Sequence, residues 1–399
     1  MTANHTHLEK KQSIYLVVSL MIGIVLGYTN IKLIYDIADF VIKAFVNLLQ
    51  FISSPIIFLS ITSAITKLRD KHAFQNILGK TIIYTLSTTI IAAIVAMILY
   101  QLFDPAAKNL TLTSSKITAS TDLSQYLLNI IPSNIVQIFA DNNVTAVTSA
   151  ALLIGISSLF LEEKPKKILH NIFDSFFELF MTIAKFIVKL IPLVLWAFIV
   201  DFIKQIHLGF ASKTIFYYIL TISAANFIQA VVILPLFLKA KGISPIATFQ
   251  GMLPALITAF FSKSSSATMP STLYCIDERL KVNPKISAIT VPLCTTINMN
   301  ACAAFIYITV LFVAQSQGMT FATADYFIWI FLATLAAIGN AGVPMGCFFM
   351  ASAYLASMGA STYLMGVILP FYAILDMFET AINVWSDACV TRIVDKIHK

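Results

Sequence analysis

The stretch Asp376–Asp387 reads DMFETAINVWSD and lies within Thr362–Val394, a segment long enough to span a membrane. The polar residues at offsets 0, 3, 4, 7 and 11 of this stretch are Asp376, Glu379, Thr380, Asn383 and Asp387. At about 100° per residue, these side chains form a single arc of roughly 100°. Because an acid at the centre of a lipid-facing helix costs about 2.5–3.5 kcal/mol, we expect this face to meet the protein interior. Oxygen ligands on one face suit sodium or an ammonium group.

The composition of the whole chain also indicates a membrane protein. Its 399 residues are 58% hydrophobic and 11% charged, whereas soluble domains carry about 25% charged residues. Apolar runs of spanning length recur along the chain. The first of them, Leu16–Tyr28, lacks a small-residue cleavage site and is therefore expected to be a helix, not a cleaved signal. We expect an all-α polytopic protein of the cell (inner or plasma) membrane, with the lipid bilayer as its solvent.

The net charge of +7 is interpreted as a signal of topology. Lysine and arginine collect at Lys10-Lys11, Lys67–Lys71, Lys164–Lys167, Lys239–Lys241, Arg279–Lys285 and Lys396–Lys399. Placing these clusters on the cytoplasmic side puts both termini in the cytoplasm and leaves Asp104–Asn143 outside. No run alternates basic and aromatic residues, so no nucleic-acid partner is expected.

The cysteines give no sign of a metal site or a disulfide framework. The five are Cys275, Cys294, Cys302, Cys347 and Cys389, and they show neither CxxC nor Cys/His spacing. We expect them to be small apolar packing residues.

Apolar segments of the C-terminal half are interrupted at about membrane depth. The breaks are Ser262–Ser266 (SKSSS), Thr295–Asn300 (TTINMN) and Gly339–Gly346 (GNAGVPMG). Irregular backbone at this depth must line a polar cavity or be buried in protein, and paired broken segments point to a transporter site. Pro245–Ile276 and Phe321–Thr362 each consist of an apolar arm, a polar tip and an apolar arm, which fits a re-entrant hairpin better than loops between short spans.

Two other function classes compete with transport. An intramembrane aspartyl enzyme would need Asp376 and Asp387 to share a proton, but on one helix they lie roughly 16 Å apart. We do not expect a Ser/Lys nucleophile pair at Lys263 and Ser264–Ser266, because adjacent residues point apart on a helix. We therefore do not expect an enzyme.

A channel remains an alternative, and concentrative uptake driven by a sodium gradient would exclude it.

Four blocks of the sequence resemble, in order and spacing, the signature of the glutamate-transporter family, the sodium:dicarboxylate symporters. They are Ser262–Pro270 (SKSSSATMP), Pro292–Asn300 (PLCTTINMN), Ala341–Pro344 (AGVP) and Asp376–Asp387, and weaker similarity at Ile131–Asn143 and Lys189–Pro192 extends over nearly the whole chain. The resemblance implies eight transmembrane helices, two re-entrant hairpins (about 245–276 and 321–362), inverted repeats and a homotrimer. It also implies an elevator-type movement of a transport domain (77–107 and 208–395) past a scaffold and trimerisation domain (12–76 and 108–207).

The resemblance assigns substrate contacts by position. Asp376 would hold the α-amino group of an amino acid, and Asn383 with the backbone at Lys263 and Ser265 would hold its α-carboxylate. The other implied pocket residues are Ser266, Cys302, Val343, Cys347, Glu379 and Thr380.

The resemblance also implies sodium sites. A first would use Asp387, Asn383, Asn298 and the Cys294 carbonyl. A second would use Thr296, Met299 and the carbonyls of Ala337, Ile338 and Asn340. A third, deeper site would use Tyr84, Ser87, Thr88 and the residue at position 300. The family has aspartate at that position and this chain has Asn300, so we expect a weak third site and two coupled sodium ions.

The residue at position 379 departs from the family pattern. Acidic-substrate members carry an arginine there, whose fork pairs with the substrate's side-chain carboxylate, whereas this chain has Glu379. An ionised Glu379 would repel aspartate and glutamate. Bacterial serine/threonine–sodium symporters of the same superfamily look similar at this position, so we expect a small neutral amino acid resembling serine, threonine or alanine. Cys347, where glycine is common, would also narrow the pocket. Basic amino acids, acidic amino acids or dicarboxylates, and proton coupling remain the alternatives.

Overall fold

The computed structural model describes residues 15, 18–29, 31–66, 73–106, 134–140, 144–207, 212–340, 345–360 and 363–398, and all regular structure in these ranges is helical. The helices of the first half are α1 (Val18–Gly27), α2 (Lys32–Thr66), α3 (Ala73–Phe103), α4 (Gln137–Ala140), α5 (Val144–Ser158) and α6 (Glu163–His207). Those of the second half are α7 (Ser212–Ile228), α8 (Leu234–Ala240), α9 (Pro245–Ser262), α10 (Ser265–Tyr274), α11 (Pro284–Ile297), α12 (Asn300–Ser316), α13 (Thr323–Gly339), α14 (Gly346–Ser357) and α15 (Tyr363–Ile397). The all-α expectation is confirmed.

Several helices are long and apolar enough to cross a membrane. By length and composition, the described ranges contain five such spans: Asn76–Phe103, Lys213–Ala240, Pro245–Ser262, Pro284–Ser316 and Leu364–Ile397. The second joins α7 to α8 through a π-helical turn, Gln229–Ile233. The fourth joins α11 to α12 through a break at Asn298 and Met299. The expectation of a polytopic membrane protein is therefore confirmed.

Both segments that were expected to fold back do so. Helix α9 ends at Ser262. The next residue, Lys263, has a left-handed backbone (φ 54°), and α10 then returns along α9. Helix α13 ends at Gly339, and α14 begins after Met345, which is also left-handed (φ 61°), and packs against α13. At Lys263 the left-handed conformation reverses the chain direction after the last helical residue. The tip of the second hairpin, residues 341–344, lies outside the described residues.

Two groups of helices pack within the protein. Helix α2 packs against both α5 and α6, whereas α3, α7, α13, α14 and α15 surround α12. Every residue of α12 except Gln315 is buried. Helix α9 packs along α15, and α11 lies beside α15 near its C-terminal half. The polar face of α15 is therefore enclosed by the two hairpins and by the break between α11 and α12.

Candidate functional site

The polar face of α15 points into the protein. Asp376, Glu379, Thr380, Asn383 and Asp387 are each at most 6% exposed. Phe378 and Ile374, which lie outside the arc, are 51% and 59% exposed. This asymmetry agrees with the predicted orientation, because the acids avoid the surface that faces lipid.

A small cavity of about 10 Å³ lies where the interrupted segments meet α15. Its walls are formed by Lys263, Ser265, Met299, Cys302, Asn340, Asp376, Glu379, Thr380 and Asn383. This volume is about that needed for one water molecule. The structure thus brings most of the predicted substrate contacts around one point, in a conformation too tight for an amino acid.

Two predicted contacts, Ser266 and Cys347, do not line the cavity, and a third is not described. Ser266 is exposed on α10 and does not line the cavity. Val343 lies outside the described residues. Cys347 is buried directly behind Cys302, at the start of α14.

At one end of the cavity Asp376 offers a carboxylate to a cationic group. Its Oδ1 accepts a hydrogen bond from the Tyr372 hydroxyl over 3.3 Å. Its Oδ2 is buried and has no hydrogen-bond partner among the described residues. Close by, the Lys263 Nζ donates to the Ala373 carbonyl over 2.7 Å. One oxygen of Asp376 is therefore held in place, while the other is positioned to accept an N–H from a ligand.

The first helical turn of α10 offers backbone N–H groups near the same cavity. Ser264 caps this helix, and its Oγ accepts from the Ala267 N–H over 3.2 Å. Ser265, the first helical residue, is buried and lines the cavity. The first N–H groups of a helix lack intrahelical partners and carry partial positive charge, so this end suits a carboxylate.

Glu379 lies in the middle of the site, near the Tyr372 hydroxyl. It is 1% exposed, and neither of its carboxylate oxygens has a hydrogen-bond partner among the described residues. Burying an unpaired ionised group is costly. Glu379 therefore requires a donor from a ligand, or a proton, to complete its surroundings.

Two cysteines that were expected to be separate packing residues are instead paired. Cys302 and Cys347 form a disulfide with Cα atoms 5.4 Å apart. The Asn340 side chain donates to the Cys302 sulfur over 3.0 Å and to the Cys347 sulfur over 3.4 Å. The pairing corrects the expectation from spacing, because the fold brings together residues that are 45 positions apart. The other cysteines, Cys275, Cys294 and Cys389, are buried and free as expected.

The residues of the first predicted sodium site are close together. Asn298 Nδ2 donates to Asp387 Oδ1 over 2.9 Å, and the Asn298 N–H donates to the Cys294 carbonyl over 2.8 Å. The Asn383 Oδ1 accepts from the Ala301 N–H over 3.0 Å. The break after α11 therefore lies directly on the polar face of α15.

The second predicted sodium site borders the cavity. The Met299 sulfur accepts from Asn383 Nδ2 over 3.5 Å and lies 4.0 Å from Asn340 Nδ2. Ala337 and Ile338 belong to the last turn of α13, where carbonyls lose their helical partners. The Thr296 hydroxyl bonds to the Pro292 carbonyl of its own helix over 2.9 Å.

The residues of the third predicted sodium site lie on α3 and at the start of α12. Thr88 Oγ1 lies 3.4 Å from Asn298 Oδ1, whereas the Ser87 hydroxyl donates to the Ile83 carbonyl of its own helix over 2.7 Å. Tyr84 is half-buried, with its ring 5.8 Å from the Lys241 ammonium.

Asn300 contacts Thr89 and Ser386, which are not among the predicted site residues. Its Oδ1 accepts from the Thr89 hydroxyl over 3.0 Å. Its Nδ2 lies 3.4 Å from Asn298 Oδ1 and also contacts the Ser386 hydroxyl. The sequence offers one signal for each partner. Thr89 is adjacent to the predicted ligand Thr88, and Ser386 is adjacent to the predicted ligand Asp387. The N–H groups of Asn300 point at oxygens that a cation would otherwise use.

Comparison with known proteins agrees with these features. Residues 13–397 match the sequence profile of the sodium:dicarboxylate symporter family. Excitatory amino acid transporter 3 of Oryctolagus cuniculus is 25% identical over 96% of this chain and 84% of its own length. An uncharacterized symporter of Haemophilus influenzae is 26% identical, covering 91% of this chain and 86% of that protein. Neutral amino acid transporter A of Bos taurus is 27% identical over 64% of this chain and 49% of that protein.

Proposed function

The chain belongs to the sodium:dicarboxylate symporter family, and we propose that it is a sodium-coupled symporter of a small neutral amino acid such as serine, threonine or alanine. We infer the substrate class from Glu379, whose buried carboxylate has no hydrogen-bond partner among the described residues of the cavity wall. A substrate hydroxyl would donate to it, whereas a substrate carboxylate would be repelled.

The remaining groups suit the common part of an amino acid. The open oxygen of Asp376 would accept from the α-ammonium group. The first turn of α10, at Ser265, would hold the α-carboxylate together with the Asn383 amide. With the two ends of the substrate fixed, the space for its side chain lies beside Glu379, Thr380 and Cys302.

The cavity must enlarge before it can hold any amino acid. The cavity of about 10 Å³ must widen even for alanine. Cys302 lines the cavity beside Glu379, and Cys347 lies behind Cys302. The relatives include a neutral amino acid transporter as well as excitatory amino acid transporters, so the neutral class is inferred from Glu379 and not from similarity.

Sodium would couple to the substrate through shared residues. Asn383 lines the cavity and lies beside the Asn298–Asp387 pair, while Met299 contacts both Asn383 and Asn340. Cations bound at Asp387 and near Met299 would hold the break after α11 in the shape that binds substrate. Binding energy would thus be linked between the sites.

We also propose how the site is moved. The group α2, α5 and α6 would belong to a scaffold (12–76 and 108–207) that forms a homotrimer with cytoplasmic termini. The helices around α12 would belong to the transport domain (77–107 and 208–395), which carries the site across the membrane as an elevator. The division is supported by the helix contacts, since α2 makes its most extensive contacts with α6 and α5, and α12 makes its most extensive contact with α3.

Uptake by proteoliposomes tests the proposal. An inward sodium gradient should drive accumulation of serine, threonine or alanine above the external concentration, and replacing sodium with potassium should abolish it. Accumulation of lysine or arginine would favour a basic substrate, and accumulation of aspartate would refute the role of Glu379. Equilibration without accumulation would indicate a channel.

A further inference from the structure

Cys302, Cys347 and Glu379 form a cluster of metal-ligating groups at the cavity wall. Their two sulfur atoms and one carboxylate oxygen all lie within 4.8 Å of one another. Each of the three residues is at most 2% exposed. The cluster joins α12, α14 and α15, so an ion held there would tie three helices together.

The disulfide of the structure becomes a dithiol when it is reduced. Two equivalents of a thiol reductant supply two electrons and two protons, giving Cys302–SH, Cys347–SH and one small-molecule disulfide. A divalent cation then displaces both thiol protons and binds two thiolates. Two thiolates and one carboxylate suit zinc, or the softer cadmium, and three protein ligands leave a fourth position open.

Independent features of the site point to a cation. Both oxygens of Glu379 lack hydrogen-bond partners among the described residues, and one lies within the cluster. The Asn340 Nδ2 contacts both sulfurs, at 3.0 and 3.4 Å, as an outer-shell donor to thiolates would. The adjoining cavity of about 10 Å³ fits one water molecule, which could complete the coordination.

We propose that the reduced protein binds one thiophilic divalent cation, Zn²⁺ or Cd²⁺, through Cys302, Cys347 and Glu379, and that this ion prevents amino-acid binding. The bound ion would exclude the amino acid because two of its ligands, Glu379 and Cys302, also line the cavity. The binding of the ion is independent of the proposed function, and only the exclusion of substrate rests on it.

Titration with cadmium tests the site directly. The purified protein is reduced with a phosphine, freed of reductant without oxygen, and followed by the ultraviolet thiolate-to-cadmium absorption. We expect one cadmium per chain. Cys302→Ser and Cys347→Ser should each lose the absorption, and Glu379→Gln should weaken binding by at least about tenfold, since even outer-shell losses cost about 10–100-fold. Cys389→Ser, which changes a buried cysteine outside the cluster, should bind like the parent.

Two results would overturn the proposal. The first is no cadmium absorption in the reduced parent, or the same absorption in Cys302→Ser, Cys347→Ser and the parent. The second is amino-acid binding that is unchanged when cadmium is bound. Thermal unfolding of each variant establishes that it is folded. If the metal-free protein binds no amino acid while cadmium still binds, the proposed function fails and the metal site stands.

Discussion

The side chain of Asn298 donates a hydrogen bond of 2.9 Å to the carboxylate of Asp387, joining the break between α11 and α12 to the last helix. Asn298 is fully buried and Asp387 is 1% exposed. A single amide opposite a carboxylate leaves that charge only partly compensated. Because the charge of Asp387 is only partly compensated, we expect a sodium ion to bind beside this pair.

Asp387→Asn should abolish sodium-coupled uptake. At an effective dielectric constant near 20, a unit charge 4 Å away contributes about 4 kcal/mol, or near 1,000-fold in sodium affinity. Uptake of radiolabelled amino acid against sodium concentration measures the loss. Glu278→Gln, which removes a surface acid paired with Lys281, is the control and should leave uptake unchanged. Undiminished uptake by Asp387→Asn would remove this residue from the cation site.

Glu379→Gln should weaken the binding of hydroxylated amino acids such as serine and leave the binding of alanine unchanged. Loss of a hydrogen bond to a charged acceptor costs about 1.5–3 kcal/mol, so the affinity for serine should fall about 10–100-fold. Alanine, which has no hydroxyl, should bind the variant as well as the parent. Isothermal titration of both amino acids checks this difference, and an equal loss for the two would assign Glu379 a structural role.

Glu379→Arg should admit acidic amino acids. Its guanidinium could pair with a substrate carboxylate through two hydrogen bonds, and the variant should transport aspartate where the parent does not. Competition between aspartate and serine for uptake provides the measurement. A folded Glu379→Arg protein that still rejects aspartate and glutamate would show that another residue selects the substrate.

Asn300→Asp should strengthen the deep sodium site. The change replaces N–H groups that point at Asn298 and Ser386 with a charged oxygen. The Hill coefficient for sodium should rise from about two towards three. A coefficient near three in the unchanged protein would contradict the expectation that Asn300 weakens this site.

Gly346→Ala should destabilise the second hairpin. A Cβ at Gly346 would collide with the Asn340 side chain, which contacts both cysteine sulfurs. We expect a loss of about 1–3 kcal/mol in the free energy of unfolding and weaker substrate binding. In Gly79→Ala, by contrast, the new Cβ meets nothing within 4 Å, and the variant should gain about 0.5–1 kcal/mol from helix propensity. Thermal unfolding of the two variants side by side provides the measurement.

The features that could be predicted from the sequence are those with a local physical cause. The arc from Asp376 to Asp387 follows from helical periodicity and from the cost of acids in lipid. The turn at Lys263 follows from a run of polar residues between apolar arms. Each of these signals lies within about one helix of sequence, so no knowledge of the fold was needed.

The features that could not be predicted depend on distant contacts. Cys302 and Cys347 belong to no motif, and only the packing of α12 on α14 brings them together. Thr89 and Asn300 are 211 positions apart. Helix α12 reads as an apolar span, so its burial on every side could not be distinguished from exposure to lipid.

The enclosure of α12 has a consequence for how the protein is made. Helices α13, α14 and α15 emerge from the ribosome after α12, yet they form most of its surroundings. During synthesis α12 can enter lipid with α11, since the joined segment Pro284–Ser316 is long and apolar enough to cross a membrane. It must later exchange lipid for protein neighbours, and this second step is driven by packing and interhelical hydrogen bonds. Until α15 is in place, the buried Asn300 amide lacks its partner Ser386.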